Sequence, residues 1–249
     1  MKIIVNADDL GISEPVNEAI FQGMQRKVIT SATMLANGPS LKPAARELHR
    51  FPHCSFGVHL NLTEFEPVCP ESCRDLKPIL NPDKCFNGNS IREVRITLPM
   101  LRAIFREWCF QIDCLIQHGV EPSHLDAHHH VHTIPQMLPV LRALRSRYKI
   151  GKIRISRNMY DRSQQPGNAL LAKKRAFNFA LRTVGFRTTR IFTDLQTFLS
   201  KCDSRIPAES AELMTHPGSM PPDGESVLLE DYWPSKLKYH IDLISYKEL

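Results

Sequence analysis

Short apolar segments alternate with amphipathic segments along the chain, and this alternation is the strongest constraint on its fold. Repeated strand–helix units favour a parallel sheet that curls into a barrel. We therefore expect an α/β fold, a distorted seven-stranded (β/α) barrel similar to a TIM barrel, with a doubly wound open sheet as the alternative. The segments predicted to be strands are residues 2–7, 28–36, 55–60, 123–128, 152–156, 190–193 and 212–215.

The predicted helices have recognisable starts and ends. Ser13 is expected to cap the first helix. Ser90 and Glu93 form a capping-box pattern before a long amphipathic helix that ends at Gly119. Pro99 should either kink this helix or mark its true start. Further helices are predicted from about residue 40 to 51, over 135–148 and over 168–184.

Residues 63–90 interrupt the alternation, because they contain several prolines and cysteines and show no sustained periodicity. A loop of this length inside a compact domain is often a lid over a site, although a tolerated surface insertion explains it equally well. The rest of the chain contains no stretch with the character of a linker. Residues 1–249 are therefore expected to form one domain.

Composition and charge limit the classes of function. The net charge of +6 would suit an anionic partner, but the basic residues are scattered, so nucleic acid is not expected. The chain has neither a membrane-length apolar stretch nor the pattern of a signal peptide at its start. Its seven cysteines are expected to be reduced thiols, and Cys69, Cys73 and Cys85 do not match a common zinc-finger spacing. We therefore expect a soluble, cytoplasmic protein.

Residues 124–132 contain five of the eleven histidines of the chain. Flanking prolines leave little room for a helix, so a strand that ends near residue 128 and continues as a loop is preferred. Neutral imidazole is a common metal ligand, which favours a metal or catalytic site over a solvated loop or core histidines bonded to the backbone. A two-residue period would place on one face His124, Asp126, His128, His130 and His132.

Other polar side chains also lie at the predicted carboxyl ends of strands, where barrel enzymes build their active sites. One carboxylate and two imidazoles are sufficient for a catalytic metal site, while a second carboxylate can accept a proton from water. A cation would offset the repulsion between Asp8 and Asp9, although this pair could instead cap the following helix. The residues at strand ends are Asp8, Asp9, His59, His128, His130, Arg157, Asp194 and His216.

Four segments resemble, in the same order, the signatures of the YdjC-like carbohydrate deacetylases, which include chitooligosaccharide deacetylases. They are Asn6–Gly11, Gly57–Thr63, His124–His132 and Met214–Gly218, and they span nearly the whole chain. Four ordered motifs are more specific than any one of them. The resemblance implies a distorted barrel and metal-dependent hydrolysis of an N-acetyl group on an amino sugar or chitooligosaccharide, with release of acetate.

The resemblance also implies roles for individual residues. Asp9, His59 and His128 would bind the metal, Asp8 would be the general base, and His216 would protonate the leaving amine. The resemblance implies Mg²⁺, whereas two imidazoles and one carboxylate suit Zn²⁺ or another late divalent ion equally well. The residues expected to contact the substrate or to support the ligands are His130, His132, Asp126, Arg157 and Asp194.

Two other functions stay open at the level of sequence. Arg154 and Arg157 could hold phosphate, so a metal-dependent phosphoester hydrolase on the same scaffold is one alternative, and a phosphorylated amino sugar would use the same residues. A non-catalytic sugar-binding protein is the other. The expected partner is a small acetylated sugar, with neither nucleic acid nor membrane. A homodimer is compatible with the resemblance.

Overall fold

The structure is a computed structural model that describes residues 1–249 except 202–205, 207, 220–228, 230–232 and 238. Strands and α-helices alternate over most of this range, as the sequence predicts. The strands are β1 (Lys2–Leu10), β2 (Ser31–Met34), β3 (Ser55–Leu60), β4 (Leu125–Ala127), β5 (Ile191–Asp194), β6 (Ser210–Thr215) and β7 (Asp242–Leu243). The α-helices are α1 (Glu14–Gln25), α2 (Leu41–Glu47), α3 (Cys73–Leu76), α4 (Leu98–Gln117), α5 (Leu138–Tyr148), α6 (Asn168–Thr183) and α7 (Leu195–Lys201).

All the strands belong to one parallel sheet, in the order β4-β3-β2-β1-β6-β5, with the short β7 paired to the start of β1. The six strands of the main path curl into a half-barrel. The α/β class and a TIM-barrel-like fold are therefore confirmed. Residues 3–8 of the central strand β1 are all buried, as expected for a parallel strand covered on both faces.

The two faces of β1 have different surroundings. Val5 belongs to the main hydrophobic core, whereas Ile4 packs in a separate small cluster with residues 244 and 246 near the start of the strand. Asn6 and Asp8 follow Ile4 at two-residue spacing, so they share its face. The interior of the half-barrel is therefore apolar at one end of β1 and polar at the carboxyl end.

The segment predicted as a regular strand over 152–156 is not one. Isolated parallel bridges join Ile153 to Leu125 of β4 and Lys152 to Arg187, so neither neighbour pairs with it for more than a short stretch. The N–H of Arg154 still donates to the carbonyl of Leu125 at 3.0 Å. The segment consequently lies beside β4 and carries Arg154 into the interior of the half-barrel.

The helix starts confirm one predicted cap and correct another. Ser13 caps α1, because its Oγ accepts the N–H of Val16 at 3.4 Å. The predicted capping box at Ser90 is wrong: residues 88–92 form a 3₁₀ turn, and α4 begins after Thr97 with Pro99 in its first turn. Proline fits there because the first turn needs no intrahelical N–H donors. None of the described helices has the length and apolarity needed to cross a membrane.

The loop over 63–90 contains α3 and several 3₁₀ turns, and it is held against α4. The backbone N–H groups of Val68 and Cys69 donate to the buried carboxylate of Glu107 at 2.9 and 2.8 Å. Gln111, one turn later, donates to the carbonyl of Asn61 at 2.8 Å. The start of the loop is therefore anchored to a buried helix face, while its role as a lid stays a prediction.

Candidate metal and active site

The candidate site is a cavity of about 520 Å³ at the carboxyl ends of β1, β3, β4 and β6. A larger cavity of about 1160 Å³ lies at the opposite end of the sheet, around Lys2 and Leu249, and is not lined by these histidines. The cavity therefore gathers six of the eight polar residues that the sequence places at strand ends, whereas Arg157 and Asp194 are not among its lining residues. The residues that line the cavity are Asp8, Asp9, His59, Arg92, His128, His129, His130 and His216.

Asp9, His59 and His128 point their ligand atoms at one another. Asp9 Oδ1 lies 2.8 Å from His128 Nδ1 and 3.2 Å from His59 Nε2. Neither contact is aligned as a hydrogen bond, and this buried oxygen has no hydrogen-bond partner in the described part of the chain. Buried polar atoms are normally satisfied. One carboxylate oxygen and two imidazole nitrogens converging without mutual hydrogen bonds fit a divalent cation.

Left-handed backbone at the ends of β1 and β4 helps to direct Asp9, His129 and His130 into the cavity. Asp9 has a φ of 67°, and His129 and His130 have φ values of 49° and 54°. Asp and His are among the residues that adopt this conformation most readily. The two consecutive left-handed residues replace strand alternation by a tight turn, so three adjacent histidines, at 128–130, line one cavity. A two-residue period excludes His129, which the sequence analysis therefore missed.

Asp126 orients His59. The Nδ1 of His59 lies 2.7 Å from Asp126 Oδ1, which leaves Nε2 facing Asp9. Thr33 donates to the other oxygen of Asp126 at 3.0 Å. Burial alone would lower the pKa of His59, but the Asp126 and Asp9 carboxylates outweigh it and raise this pKa. The same excess of negative charge would favour a bound cation.

Glu64 stands on the outer side of His128. Its Oε1 lies 3.5 Å from His128 Nε2 and 4.0 Å from His129 Nε2, and its side chain is 41% exposed. The nearby imidazole of His128 outweighs burial and lowers the pKa of Glu64. Each of the two imidazoles in the candidate ligand set thus faces a second carboxylate with its other nitrogen. Glu64 was missed because it lies inside the aperiodic loop.

Arg154 clamps the predicted base Asp8. The two Nη atoms of Arg154 each lie 2.6 Å from an oxygen of Asp8. Burial would raise the pKa of Asp8, but the charge and hydrogen bonds of Arg154 outweigh it and hold this pKa well below its usual range. Asp8 is therefore ionised near neutral pH. Asn6 donates a further hydrogen bond to its Oδ1 at 3.0 Å.

Arg154 is shared by three buried carboxylates. Besides Asp8, it contacts Asp126 through Nη1 at 2.8 Å and Glu212 through Nε at 2.7 Å, and its side chain is fully buried. Nε and both Nη atoms of this guanidinium are consequently paired with acidic partners, and the ring of Phe192 lies 4.8 Å from its central carbon. The suggestion that Arg154 holds a substrate phosphate is therefore wrong.

The other predicted residues lie at different distances from the cavity. His216, whose side chain is 33% exposed, lines the cavity with Nε2 at 3.9 Å from Asp8 Oδ2. His130 also lines it and meets the ring of Phe192 edge-on. His132 is fully buried and donates through Nε2 to the carbonyl of Arg154 at 3.2 Å. His132 is therefore placed to support the clamp instead of facing the cavity.

Arg157 and Asp194 pair with each other, with 2.5 Å between Arg157 Nη2 and Asp194 Oδ2. Arg157 also donates to Thr197, and Asp194 accepts the N–H of Thr197 at 2.6 Å at the start of α7. Neither side chain is among the described residues that line the cavity. Their role as substrate contacts stays a prediction without support from this geometry.

Arg92 supplies a cation to the cavity wall that the sequence analysis did not single out. Its Nη2 donates to the carbonyl of His129 at 2.7 Å. Burial lowers its pKa, but an arginine keeps its charge in proteins. The residue lies in the 3₁₀ turn before α4, where the sequence pattern indicated only a helix cap. A positively charged group thus lines the same cavity as Asp8 and the candidate metal ligands.

The chain is similar to several curated proteins, each named carbohydrate deacetylase. It is 36% identical to the one from Halalkalibacterium halodurans, over 60% of this chain and 62% of that protein, and 37% identical to the one from Geobacillus stearothermophilus, over 59% and 57%. It therefore spans about three fifths of the length of these relatives. A 27% identical relative from Brevibacillus brevis aligns over 100% of this chain and 93% of its own length.

A solved structure and a family profile extend the similarity to the whole fold. The crystal structure of a protein from Enterococcus faecalis V583, provisionally named a cellobiose-phosphate cleavage protein, superposes with a TM-score of 0.81 at 25% identity, covering 99% of this chain and 98% of that one. The profile of the YdjC-like proteins matches residues 2–239, a range that includes every residue of the cavity. The chain belongs to the YdjC-like family.

Proposed function

We propose that the protein is a metal-dependent hydrolase that removes the N-acetyl group from an acetylated amino sugar or chitooligosaccharide and releases acetate. The convergence of Asp9, His59 and His128 beside the ionised Asp8 carries this proposal. The names of the curated relatives support carbohydrate deacetylation as the reaction class. The cavity of about 520 Å³ is large enough for a sugar unit.

Asp9, His59 and His128 would hold the cation. A divalent ion there would lower the pKa of a bound water and polarise the acetyl carbonyl. Two imidazoles with one carboxylate suit Zn²⁺ or another late divalent ion, and the family resemblance favours Mg²⁺. Asp126 would keep His59 in the tautomer that leaves Nε2 free for the ion.

The remaining residues of the cavity move protons and hold the sugar. Asp8 accepts the proton of the attacking water, and Arg154 fixes both of its oxygens. His216, 3.9 Å from Asp8, donates a proton to the nitrogen of the leaving amine. His130 and Arg92 contact the substrate from the walls of the cavity. Acid and base thus face one reacting centre from adjacent positions.

A phosphoester hydrolase is the weaker candidate. Arg154 is occupied by three carboxylates and Arg157 by Asp194, so neither is open to a phosphate. Arg92 is the arginine that lines the described cavity, and it would serve an anionic group on either kind of substrate. A sugar-binding protein without turnover would use the same cavity.

We also propose that residues 152–158 complete a distorted seven-stranded barrel. The bridges at Lys152 and Ile153 support this, as does the hydrogen bond from the N–H of Asn158 to the carbonyl of Phe192 at 3.2 Å. The single domain, the small-molecule partner, the absence of nucleic-acid and membrane partners, the homodimer and the cytoplasmic location stay predictions.

The test of the proposed function is acetate release from N-acetylated chitooligosaccharides by metal-stripped protein. Release is expected only after a divalent ion is added back, and comparison of Mg²⁺, Zn²⁺ and Co²⁺ ranks the cations. Inorganic phosphate is measured in parallel with phosphorylated sugars. Phosphate without acetate would favour the phosphoester hydrolase, and sugar binding without either product would favour the binding protein.

Replacement of Asp126 by asparagine is expected to lower metal affinity by about 10- to 100-fold, because the His59 ring loses its carboxylate partner. The measurement is competition with a chromophoric chelator. Asp242→Asn is the matched control, since it makes the same change at an exposed carboxylate that is paired with a histidine at the opposite end of the sheet. Equal affinity in the two variants would contradict the orienting role.

A further inference from the structure

A tyrosine near the end of the chain enters the half-barrel from the side opposite the cavity. The ring of Tyr246 is fully buried and stacks on His124, with centroids 3.6 Å apart and planes 10° apart. Gly57 leaves room for that stack, because a Cβ there would lie 2.4 Å from the His124 ring. The Tyr246 hydroxyl donates to Glu212 Oε2 at 2.5 Å. The phenol thus reaches the buried acidic residues from the end of the half-barrel where β1 starts.

Hydrogen bonds continue from this hydroxyl to the base. Glu212 accepts from Tyr246 through Oε2 and from Arg154 Nε through Oε1, at 2.7 Å. Arg154 then holds both oxygens of Asp8. Tyr246, Glu212 and Arg154 are each 0% exposed, and Asp8 is 2% exposed. A buried, unbroken series of hydrogen bonds therefore runs from the C-terminal segment to the cavity.

We propose that Tyr246 is a positioning residue for the base Asp8 and acts through Glu212 and Arg154. The inference rests on the proposed function, in which Asp8 accepts the proton of the attacking water. Tyr246 lies beyond residues 2–239, the range matched by the family profile. The position of the base thus depends on a residue outside the shared signatures.

The geometry of a guanidinium explains how the effect is transmitted. The group is planar and rigid, so fixing Nε also fixes the directions of the two Nη atoms that hold Asp8. Within the described part of the chain, the Tyr246 hydroxyl is the donor to Glu212 Oε2. Without the hydroxyl, this buried oxygen is unsatisfied and the carboxylate is free to turn. Arg154 and Asp8 would then move together.

The backbone of Tyr246 is fixed, so the hydroxyl has a defined position. Its N–H donates to Ser55 Oγ at 2.9 Å, and its carbonyl accepts a hydrogen bond from Lys152 Nζ. Burial and the Glu212 charge raise the pKa of Tyr246 well above its usual value, so the phenol stays protonated and donates. Burial raises the pKa of Glu212 to about 7, although Arg154 and Tyr246 oppose the rise.

Tyr246 also packs with Ile4 and Ile244, so a purely structural role must be separated from positioning. Tyr246→Phe keeps the ring and removes only the hydroxyl. We expect kcat for acetate release to fall about tenfold, with KM and metal affinity changed by less than about twofold. If Tyr246 only stabilised the fold, Tyr246→Phe would lower the Tm and leave kcat of the folded enzyme unchanged.

The neighbouring Ser245 gives the matched control. Its side chain and N–H bind Glu248 in a capping box, and in the described part of the chain it hydrogen-bonds neither Glu212 nor Arg154. Ser245→Ala should weaken the same C-terminal segment while kcat stays within about twofold of wild type. An equal fall of kcat in Ser245→Ala and Tyr246→Phe would overturn the proposal.

A double-mutant cycle tests whether the effect passes through Glu212. Glu212→Gln should lower kcat in the same direction, because the Arg154 Nε–H loses its charged acceptor. Adding Tyr246→Phe to Glu212→Gln should then cause little further loss, whereas independent effects would multiply. Multiplied effects would overturn the route through Glu212.

The side-chain Nε–H of Arg154 gives a readout that needs no turnover. In ¹⁵N-labelled protein this signal, assigned with Arg154→Lys, should exchange slowly with water and shift or exchange faster in Tyr246→Phe. If wild-type protein releases no acetate but the signal responds, the deacetylase proposal fails and the structural link to Arg154 stands. If the enzyme is active, the positioning role is overturned when Tyr246→Phe changes neither the Arg154 Nε–H signal nor kcat. If the wild-type protein is inactive, an Arg154 signal that does not change in Tyr246→Phe overturns it.

Discussion

Replacement of Arg154 by methionine is expected to destabilise the protein by about 3–5 kcal/mol, because removing one partner of a buried ion pair leaves an uncompensated charge. The loss falls at the upper end of this range or beyond it, since Asp8, Asp126 and Glu212 all depend on the same guanidinium. Methionine preserves much of the volume of the side chain. The free energy of unfolding in urea, measured with a chelator present, gives the effect.

Arg157→Met is the control for the loss of a positive charge. Arg157 pairs with Asp194, but their side chains are 21% and 17% exposed, so water can solvate the remaining carboxylate. We expect a loss of about 1 kcal/mol. If the two variants lost equal stability, Arg154 would have no special place in the interior.

The cost of Arg154→Met should depend on pH in a defined direction. In the wild type Arg154 holds the pKa of Asp8 below its usual value. The Asp8–Arg154 pair therefore stabilises the fold fully above pH ~4, and this stabilisation is lost as the pH falls from there toward the lower pKa of Asp8 in the folded protein. Without Arg154, burial raises the pKa of Asp8 in the folded protein above its pKa in the unfolded chain. The destabilisation of the variant should therefore be smaller at pH 5.5 than at pH 8.

Replacement of Asp8 by asparagine is expected to lower the rate of acetate release by about 10²–10⁴-fold, the usual contribution of a general base. Asparagine has nearly the same shape but accepts no proton from water. Asp9, His59 and His128 are unchanged, so the bound metal per protein should stay close to wild type. Turnover and metal content are measured on the same preparation.

Asp242→Asn is again the matched control, and its rate should stay within about twofold of wild type. If loss of metal wholly explained the fall in rate of Asp8→Asn, Asp8 would be a residue that supports the metal ligands and not the general base. A near-normal rate in Asp8→Asn would remove it from the mechanism.

The predictable part of this fold is the part encoded locally. Apolar runs identify β1 and β3 within a few residues, and Ser13 identifies the start of α1, because burial and capping act on neighbours in sequence. Because parallel strands end at one edge of the sheet, Asp8, Asp9 and His59 could be assigned to one site. The structure brings them together there.

The unpredicted part depends on contacts between distant segments. Arg154 sits between isoleucines at 153 and 155, and this pattern does not reveal which carboxylates will surround it. Its partners Asp8 and Glu212 lie 146 and 58 positions away. Ser90 carries a capping pattern, but Pro99 fits the first turn of α4 and sets its start. Local sequence patterns therefore suggest possible helix starts and site residues, but contacts between distant segments determine which of them form.

Under the proposed function, the place of Glu64 would link changes in sugar preference to the strength of metal binding. It lies at the start of the 63–90 loop, a natural segment to exchange when engineering another sugar preference, yet its carboxylate faces the ring of His128 at 3.5 Å. Loop exchanges that omit this residue are therefore expected to alter the candidate cation site together with the proposed sugar contacts. A loop library for this scaffold should therefore keep glutamate at position 64 and begin its variation after it.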